Sequence, residues 1–275
     1  MKIVLPIIAL LLILSNWFTT QVKPDNLLFH VNSFFKIPFF ETRFLYLYLL
    51  IFTAIPSLSM IIFDTQWLKM GSRLRYSLPA IFIVAVFYWV WDIYKTKVGV
   101  WGFNPKYYTV SFLSLPIEEY LFFIIIPLSC LLIYDSLDYF RGKKTIFDAL
   151  DYPLSMGLIF IFFTIGLYKW AQAYTATTWL LAGFLLLWQV AFDDITAFRG
   201  RFFRAFLVVQ IPFLLVNGIL TGAATAEPVV VYNPEEYFGV RIGTIPIDDF
   251  VYNFTMLFSI IWLYEKFQLK KVSSP

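Results

Sequence analysis

Eight apolar segments set the terms for this chain, at residues 3–18, 44–63, 77–95, 114–136, 153–172, 176–192, 202–221 and 245–265. Each is about 16–23 residues long, close to the ~20 that carry an α-helix across a bilayer. Peptide groups in lipid find no water to bond, so each must be satisfied within the chain, and a single apolar segment does that as a helix. The expected fold is all-α, a polytopic membrane helix bundle. Composition agrees, with 60% hydrophobic and 14% charged residues, against roughly half and a quarter in soluble domains. Pro56 and Pro127 fall inside segments, which is tolerable where neighbours cover the carbonyls that proline leaves free. The first segment runs from Lys2 to Leu14 and then Ser15-Asn16-Trp17. It lacks a clear small-x-small cleavage site, which favours an uncleaved anchor over a signal peptide.

Charge orients the segments. Lys69, Arg73 and Arg75 follow the second segment. Arg141, Lys143 and Lys144 follow the fourth, Arg199, Arg201 and Arg204 the sixth, and Lys266, Lys270 and Lys271 the last. These four groups lie on one side if every segment crosses. The stretch 222–244 on the other side has only Arg241. The positive-inside rule then puts the basic side and the C-terminus in the cytoplasm, as expected for the plasma (inner) membrane. No basic cluster has the spacing of a nucleic-acid binder. The single cysteine, Cys130, excludes an intrachain disulfide and reads as a packing residue. With His30 as the only histidine, there is little material for a zinc or haem site, and no metal or cofactor is expected.

The two halves of the chain resemble each other. Trp91-Asp92 ends one segment, and Val216-Asn217 ends its counterpart. A glycine-containing loop follows each, then Asn104-Pro105 or Asn233-Pro234, then Pro116-Ile117-Glu118-Glu119 or Pro246-Ile247-Asp248-Asp249. The expected organisation is an extension over 1–43, a first repeat over 44–136, a linker with one membrane helix over 137–175, a second repeat over 176–265 and a tail over 266–275. Three spans are an odd number, so directly joined units would be inverted. The segment at 153–172 restores a parallel repeat. Both acid pairs then fall at one membrane face, opposite the basic side.

Pro-x-acid-acid has a plain structural use, since proline suits a first helical turn and acids there meet the positive end of the helix dipole. It also has a chemical use. Acids at the edge of a membrane span are costly and mark function by default. Neighbouring carboxyl groups in a dry aromatic setting resist ionising together, and a carboxyl that keeps its proton can protonate a weak base. Glu118, Glu119, Asp248 and Asp249 are therefore the candidate catalytic residues. Trp101, Phe122, Phe123 and Tyr252 are candidates for cation stabilisation, although aromatics also gather at membrane interfaces. Asp92, Asn104, Asn233 and Asn253 are candidate supporting residues. Asp92 has a competing use at a helix end, and the two Asn-Pro pairs a competing use as turns. Asp193-Asp194 could bind magnesium and a diphosphate, but there is no second Asp-rich motif, which favours a solvated loop.

The stretch Gly99-Val100-Trp101-Gly102-Phe103-Asn104-Pro105-Lys106-Tyr107, with Trp91-Asp92 before it and Leu115-Pro116-Ile117-Glu118-Glu119-Tyr120-Leu121-Phe122-Phe123 after it, resembles the lycopene cyclase domain of integral-membrane, heterodimer-type carotenoid cyclases. Ile245-Pro246-Ile247-Asp248-Asp249-Phe250-Val251-Tyr252-Asn253 is similar to the partner subunit, so the chain resembles a fusion of both over about 44–265. Asp248 stands where the partner usually has Glu, and 1–43 is unmatched. The resemblance implies acid-catalysed closure of lycopene ends to β-ionone rings without net redox change. The implied substrate is a lipophilic carotenoid taken from the bilayer, with membrane lipids as surroundings and no soluble cofactor. Oligomeric state stays open, a homo-oligomer included. A cyclase of C50 carotenoids or of one end only would share these motifs. Competing readings are a proton-coupled transporter, with the acids as relay, and a structural assembly subunit. A retinal photoreceptor would need a Schiff-base lysine in the last span, and 245–265 contains none.

Overall fold

A computed structural model describes residues 36–64, 66–193 and 198–272, with side chains to residue 269. The segment at 3–18, His30, Asp194 and the side chains of Lys270 and Lys271 lie outside the described residues. Seven helices account for most of the rest: α1 (Leu45–Phe63), α2 (Met70–Lys97), α3 (Ile117–Arg141), α4 (Asp151–Tyr168), α5 (Ala173–Phe192), α6 (Arg199–Leu220) and α7 (Ile247–Val272). The first six are long and apolar enough to cross a membrane. The chain is a multi-pass membrane protein with the all-α bundle expected of it. α7 is 26 residues long, but Asp248, Asp249 and Asn253 in its first two turns lower its apolar character. It is packed against α2, α3, α5 and α6, with Met256, Leu257, Phe258, Ile260 and Ile261 buried. Its polar groups therefore face protein.

Short strands tie the repeats together. β1 (Trp101–Phe103) follows α2, β4 (Val230–Tyr232) follows α6, and the two pair antiparallel with Trp101 opposite Tyr232. Asn104 N–H donates to Val229 O at 2.8 Å, and Asn233 N–H donates to Val100 O at 2.9 Å. This reciprocity is what a two-fold relation between repeats requires. It places the ends of α2 and α6 together at one end of the bundle. A hairpin then precedes each acid-bearing helix: β2 (Ser111–Phe112) with β3 (Leu115–Pro116), and β5 (Arg241–Ile242) with β6 (Ile245–Pro246). Both acid helices start at the same end and run the same way, so the repeats are parallel.

Lipid gives helices no hydrophobic reason to associate, so close packing and polar contacts hold them. At the α4–α5 contact a Cβ on Gly166 would lie 2.8 Å from Leu180 Cγ, and one on Gly183 would lie 3.1 Å from a Phe163 ring carbon. The missing side chains allow the approach. Pro56, Pro79, Pro127 and Pro212 sit inside helices. Near Pro56, Ser129 Oγ donates to Thr53 O at 2.8 Å, covering a carbonyl beside the break.

At the end opposite the hairpins, part of the expected basic set sits on helix ends and is paired, while Lys69, Arg141, Lys143 and Lys144 are exposed. Arg73 bonds Asp135 at 2.6 Å, Arg201 bonds Asp138 at 2.6 Å and Glu265 at 2.9 Å, and Arg204 bonds Asp138 at 2.7 Å. Arg199 pairs with Asp151, and Lys266 with Asp193. Asp193 also accepts from Trp262 Nε1 at 3.1 Å. It is buried in an ion pair, so the expected solvated loop is corrected at this residue.

Candidate active site

Each hairpin fixes the register of the helix that follows. Ile117 N–H donates to Val110 O at 2.9 Å, and Ile247 N–H donates to Val240 O at 3.0 Å. The first acid of each pair completes this joint. Glu118 Oε1 accepts from Thr109 N–H at 2.9 Å and Thr109 Oγ1 at 2.6 Å. Asp248 Oδ2 accepts from Phe238 N–H at 3.0 Å, and its Oδ1 from Trp179 Nε1 at 2.8 Å. Glu118 and Asp248 are buried, but they face the loops. Successive residues on a helix point about 100° apart, so Glu119 and Asp249 turn inward. The expected cluster of four acids is thereby corrected: the structure brings two of them together and holds the other two as anchors.

The inward acids have matching surroundings. Tyr46 OH of α1 donates to Glu119 Oε2 at 2.6 Å, and Tyr174 OH of α5 donates to Asp249 Oδ1 at 2.6 Å. From the middle helix of each repeat, Asp92 lines the same cavity as Glu119, and Asn217 Nδ2 donates to Asp249 Oδ2 at 2.8 Å. The halves differ in two further contacts. Tyr232 OH donates to Asp249 Oδ2 at 2.7 Å, and Tyr252 OH of the second repeat donates to Asp92 Oδ1 at 2.7 Å. The latter bond stitches the half-sites into one. Asp92 had a competing expectation as a helix-end residue. α2 continues to Lys97, so Asp92 sits more than a turn inside the bundle and 3% exposed.

These groups line a cavity of about 80 Å³ together with Trp101, Phe103, Phe122, Phe213, Asn253 and Met256. The Trp101 ring meets Tyr174 edge-on at 5.0 Å. Asn253 Nδ2 is buried with no hydrogen-bond partner, an unspent donor of the kind that marks room for a ligand or water. Phe123 does not reach the cavity and packs on Tyr88 at 5.5 Å. Asn104 and Asn233 also lie outside it and serve as turns. Asn104 Oδ1 accepts from Lys106 N–H and Asn233 Oδ1 from Glu235 N–H, both at 3.1 Å. Sequence reasoning passed over Tyr46, Tyr174, Tyr232 and Asn217 as site residues. The first two stand at equivalent places in the first helix of each repeat, which aligning the repeats would have exposed.

Strands β1 and β4 cover the cavity, and Glu41 fastens the segment before α1 to this cover. Its carboxylate accepts from Ala226 N–H at 2.6 Å and Tyr107 OH at 2.9 Å and pairs with Lys106 at 2.6 Å. Desolvation pushes the Glu41 carboxyl up, but the bonds from Lys106, Ala226 and Tyr107 outweigh it and hold it below the usual 4.5. A depressed carboxyl contributes stability that is complete above its unfolded value and is lost as pH falls through its folded value. The expected result is a thermal unfolding temperature that drops as pH falls below about 4.5, with a shallower drop in Glu41→Gln. Unfolding of both proteins in detergent across pH checks it.

Residues 42–137 and 171–267 match a family model described as "Lycopene cyclase". The chain belongs to the lycopene cyclase family. Every residue lining the acid cavity falls within the two matched regions. The linking helix α4 falls outside them. No curated protein and no solved structure matched the chain in the comparisons made. Membership makes the chain a cyclase, with carotenoid cyclisation as its chemistry.

Proposed function

We propose that the chain is a lycopene β-cyclase, an intramolecular lyase or isomerase of carotenoid biosynthesis that closes ψ-ends to β-ionone rings without net redox change. The observation that carries this is the meeting of Asp92, Glu119 and Asp249 around one aromatic cavity in a chain of this family. Asp92 and Glu119 are buried and line this cavity together, and two carboxyl groups brought together in a dry site hold a proton between them, since both do not readily ionise. The proton shared by Asp92 and Glu119 is the one delivered to the terminal alkene.

Protonation forms a C–H bond and leaves a tertiary cation. The π electrons of a nearby double bond attack it, form the ring C–C bond and move the charge onto a ring carbon. Loss of an adjacent proton to a carboxylate makes the ring double bond. One proton enters and one leaves, so no oxidant is needed. Asp249 has three donors and is satisfied without a proton of its own. It supplies negative charge beside the cation, and the faces of Trp101, Phe103 and Phe122 add to it. Asp249, or the carboxylate left by the donor, takes up the departing proton. The cover over the cavity keeps out water that would trap the cation as an alcohol. Glu118 and Asp248 act as positioning residues.

The carotenoid comes from the bilayer. The Arg- and Lys-bearing helix ends at the opposite end of the bundle support the reading that this end, with the C-terminus, faces the cytoplasm of a plasma membrane and that the acids lie near the outer leaflet. Expression in lycopene-accumulating cells followed by pigment chromatography tests the proposal. The expected products are β-carotene or γ-carotene. Unchanged lycopene, with the protein confirmed in the membrane, contradicts it. The same chromatogram separates a two-ring product from a one-ring product.

A further inference from the structure

A second cavity, of about 380 Å³, lies between α1, α3 and α6. It adjoins the acid cavity: Phe122, Ile126, Phe213, Asn217 and Asn253 line both. Along α3 it runs from Phe122 to Ile133, about 16 Å at 1.5 Å per residue. Its outer rim, at Phe52 and Ile55, is 74% and 55% exposed on a membrane helix and so faces lipid. We propose that this groove is the lateral slot by which an extended, wholly apolar polyene passes from the bilayer to the acids, one end at a time. The proposal rests on the cyclase reading and adds where the substrate lies.

The hydroxyls in the groove are already spent. Thr53 Oγ1 donates to Leu49 O and Leu50 O, both at 3.0 Å. Ser129 Oγ donates to Thr53 O at 2.8 Å and to Ile125 O at 3.1 Å. An occupant therefore meets apolar surfaces, the Cys130 thiol included, until it reaches Asn217, Asn253 and the acids. A chain with polar groups along its length gains nothing there.

The corresponding place in the other half of the molecule is occupied by aromatic side chains, as the sequence shows. With Asn217 set against Asp92, Val216 falls opposite Trp91, Phe213 opposite Tyr88 and Pro212 opposite Phe87. Tyr88 and Trp91 are buried and stacked at 5.8 Å. Phe123 and Tyr252 pack on Tyr88 at 5.5 and 4.9 Å. Trp91 and Phe87 supply bulk on that side where Val216 and Pro212 leave room on this one. The slot also ends at the acids, because β1 and β4 close over them. A polyene enters end-first and cannot pass through. Its second end reaches the same acids only after release and re-entry, so the one-ring carotenoid leaves the enzyme as a free intermediate.

Val216→Trp copies the aromatic of the closed side into the groove, and Pro212→Phe does the same one turn away. Both are tested in a Glu119→Gln background, which holds lycopene without converting it, by purifying the protein from lycopene-accumulating cells and reading polyene absorbance per protein. The expected result is bound polyene in Glu119→Gln and about tenfold less, or lower still, in either double variant, since a packed slot leaves no volume for a chain. Circular dichroism and a monodisperse elution profile confirm folding, and Pro212→Phe carries the test if Val216→Trp misfolds. Folded variants that keep the full polyene load overturn the proposal. Ring formation by the wild-type chain in the same cells reports on the cyclase reading separately. Absence of both rings and bound polyene sinks that reading and the slot with it.

Discussion

Asp92→Asn is expected to lower the rate of ring closure by about 100–10,000-fold, the usual worth of a general acid, with little change in folding. Asparagine has nearly the shape of aspartate. It can accept from Tyr252 OH through Oδ1, as Asp92 does at 2.7 Å, and donate to Glu119 through Nδ2. That reproduces the arrangement of the second repeat, where Asn217 Nδ2 donates to Asp249 at 2.8 Å. What asparagine cannot do is share a proton with Glu119. The variant thus turns the first half-site into a copy of the second and isolates the carboxyl pair as the cause of any loss. Ring formation per membrane-inserted protein, measured on purified protein in lipid, checks it. A fully active variant would mean that Glu119 holds the reacting proton without help.

Asp249→Asn is expected to slow closure by about 100–1,000-fold, the scale seen when one preorganised electrostatic group is removed from a site. The loss comes from the cation, which no longer faces a negative charge. Tyr174, Tyr232 and Asn217, which donate to Asp249 at 2.6, 2.7 and 2.8 Å, can reorient toward an amide, so the fold is expected to survive. Asp249→Ala is harsher, because it strands three buried donors at about 1–3 kcal/mol each. Where Asp249 also takes up the departing proton, its loss leaves the cation without its base, so alcohols from water capture are expected alongside residual rings, and mass spectrometry of the pigments detects them. Unchanged rate and product ratio in Asp249→Asn would remove this residue from the chemistry.

The bundle was legible because lipid makes hydropathy decisive. α1 was expected over 44–63 and spans Leu45–Phe63, and α3 starts at Ile117, beside the proline of its motif. Charged helix ends hid part of α2, which runs over Met70–Lys97 instead of 77–95. Arg73 is paired with Asp135 at 2.6 Å, and Lys95 Nζ donates to Ala173 O at 3.3 Å, so charge there does not end the helix. The repeat was also legible, and with it the convergence of Glu119 and Asp249. Which acid of each pair turns inward was not, because that depends on a register set by Thr109 and Phe238, nine or ten residues away. Tyr46 and Tyr174 were lost among 17 tyrosines and 32 phenylalanines. Asp92 looked isolated in sequence because its neighbours, Glu119 and Tyr252, come from other helices.

Separate Glu118→Gln and Glu119→Gln variants, expressed in lycopene-accumulating cells and compared by pigment chromatography at equal membrane protein, probe the division between anchoring and reacting acids most directly. Glu118→Gln is expected to keep forming rings, at a stability cost of about 1 kcal/mol from its weakened bonds to Thr109, and Glu119→Gln is expected to leave lycopene unconverted. Rings in Glu119→Gln, or lycopene left intact by a folded, inserted Glu118→Gln, would contradict it.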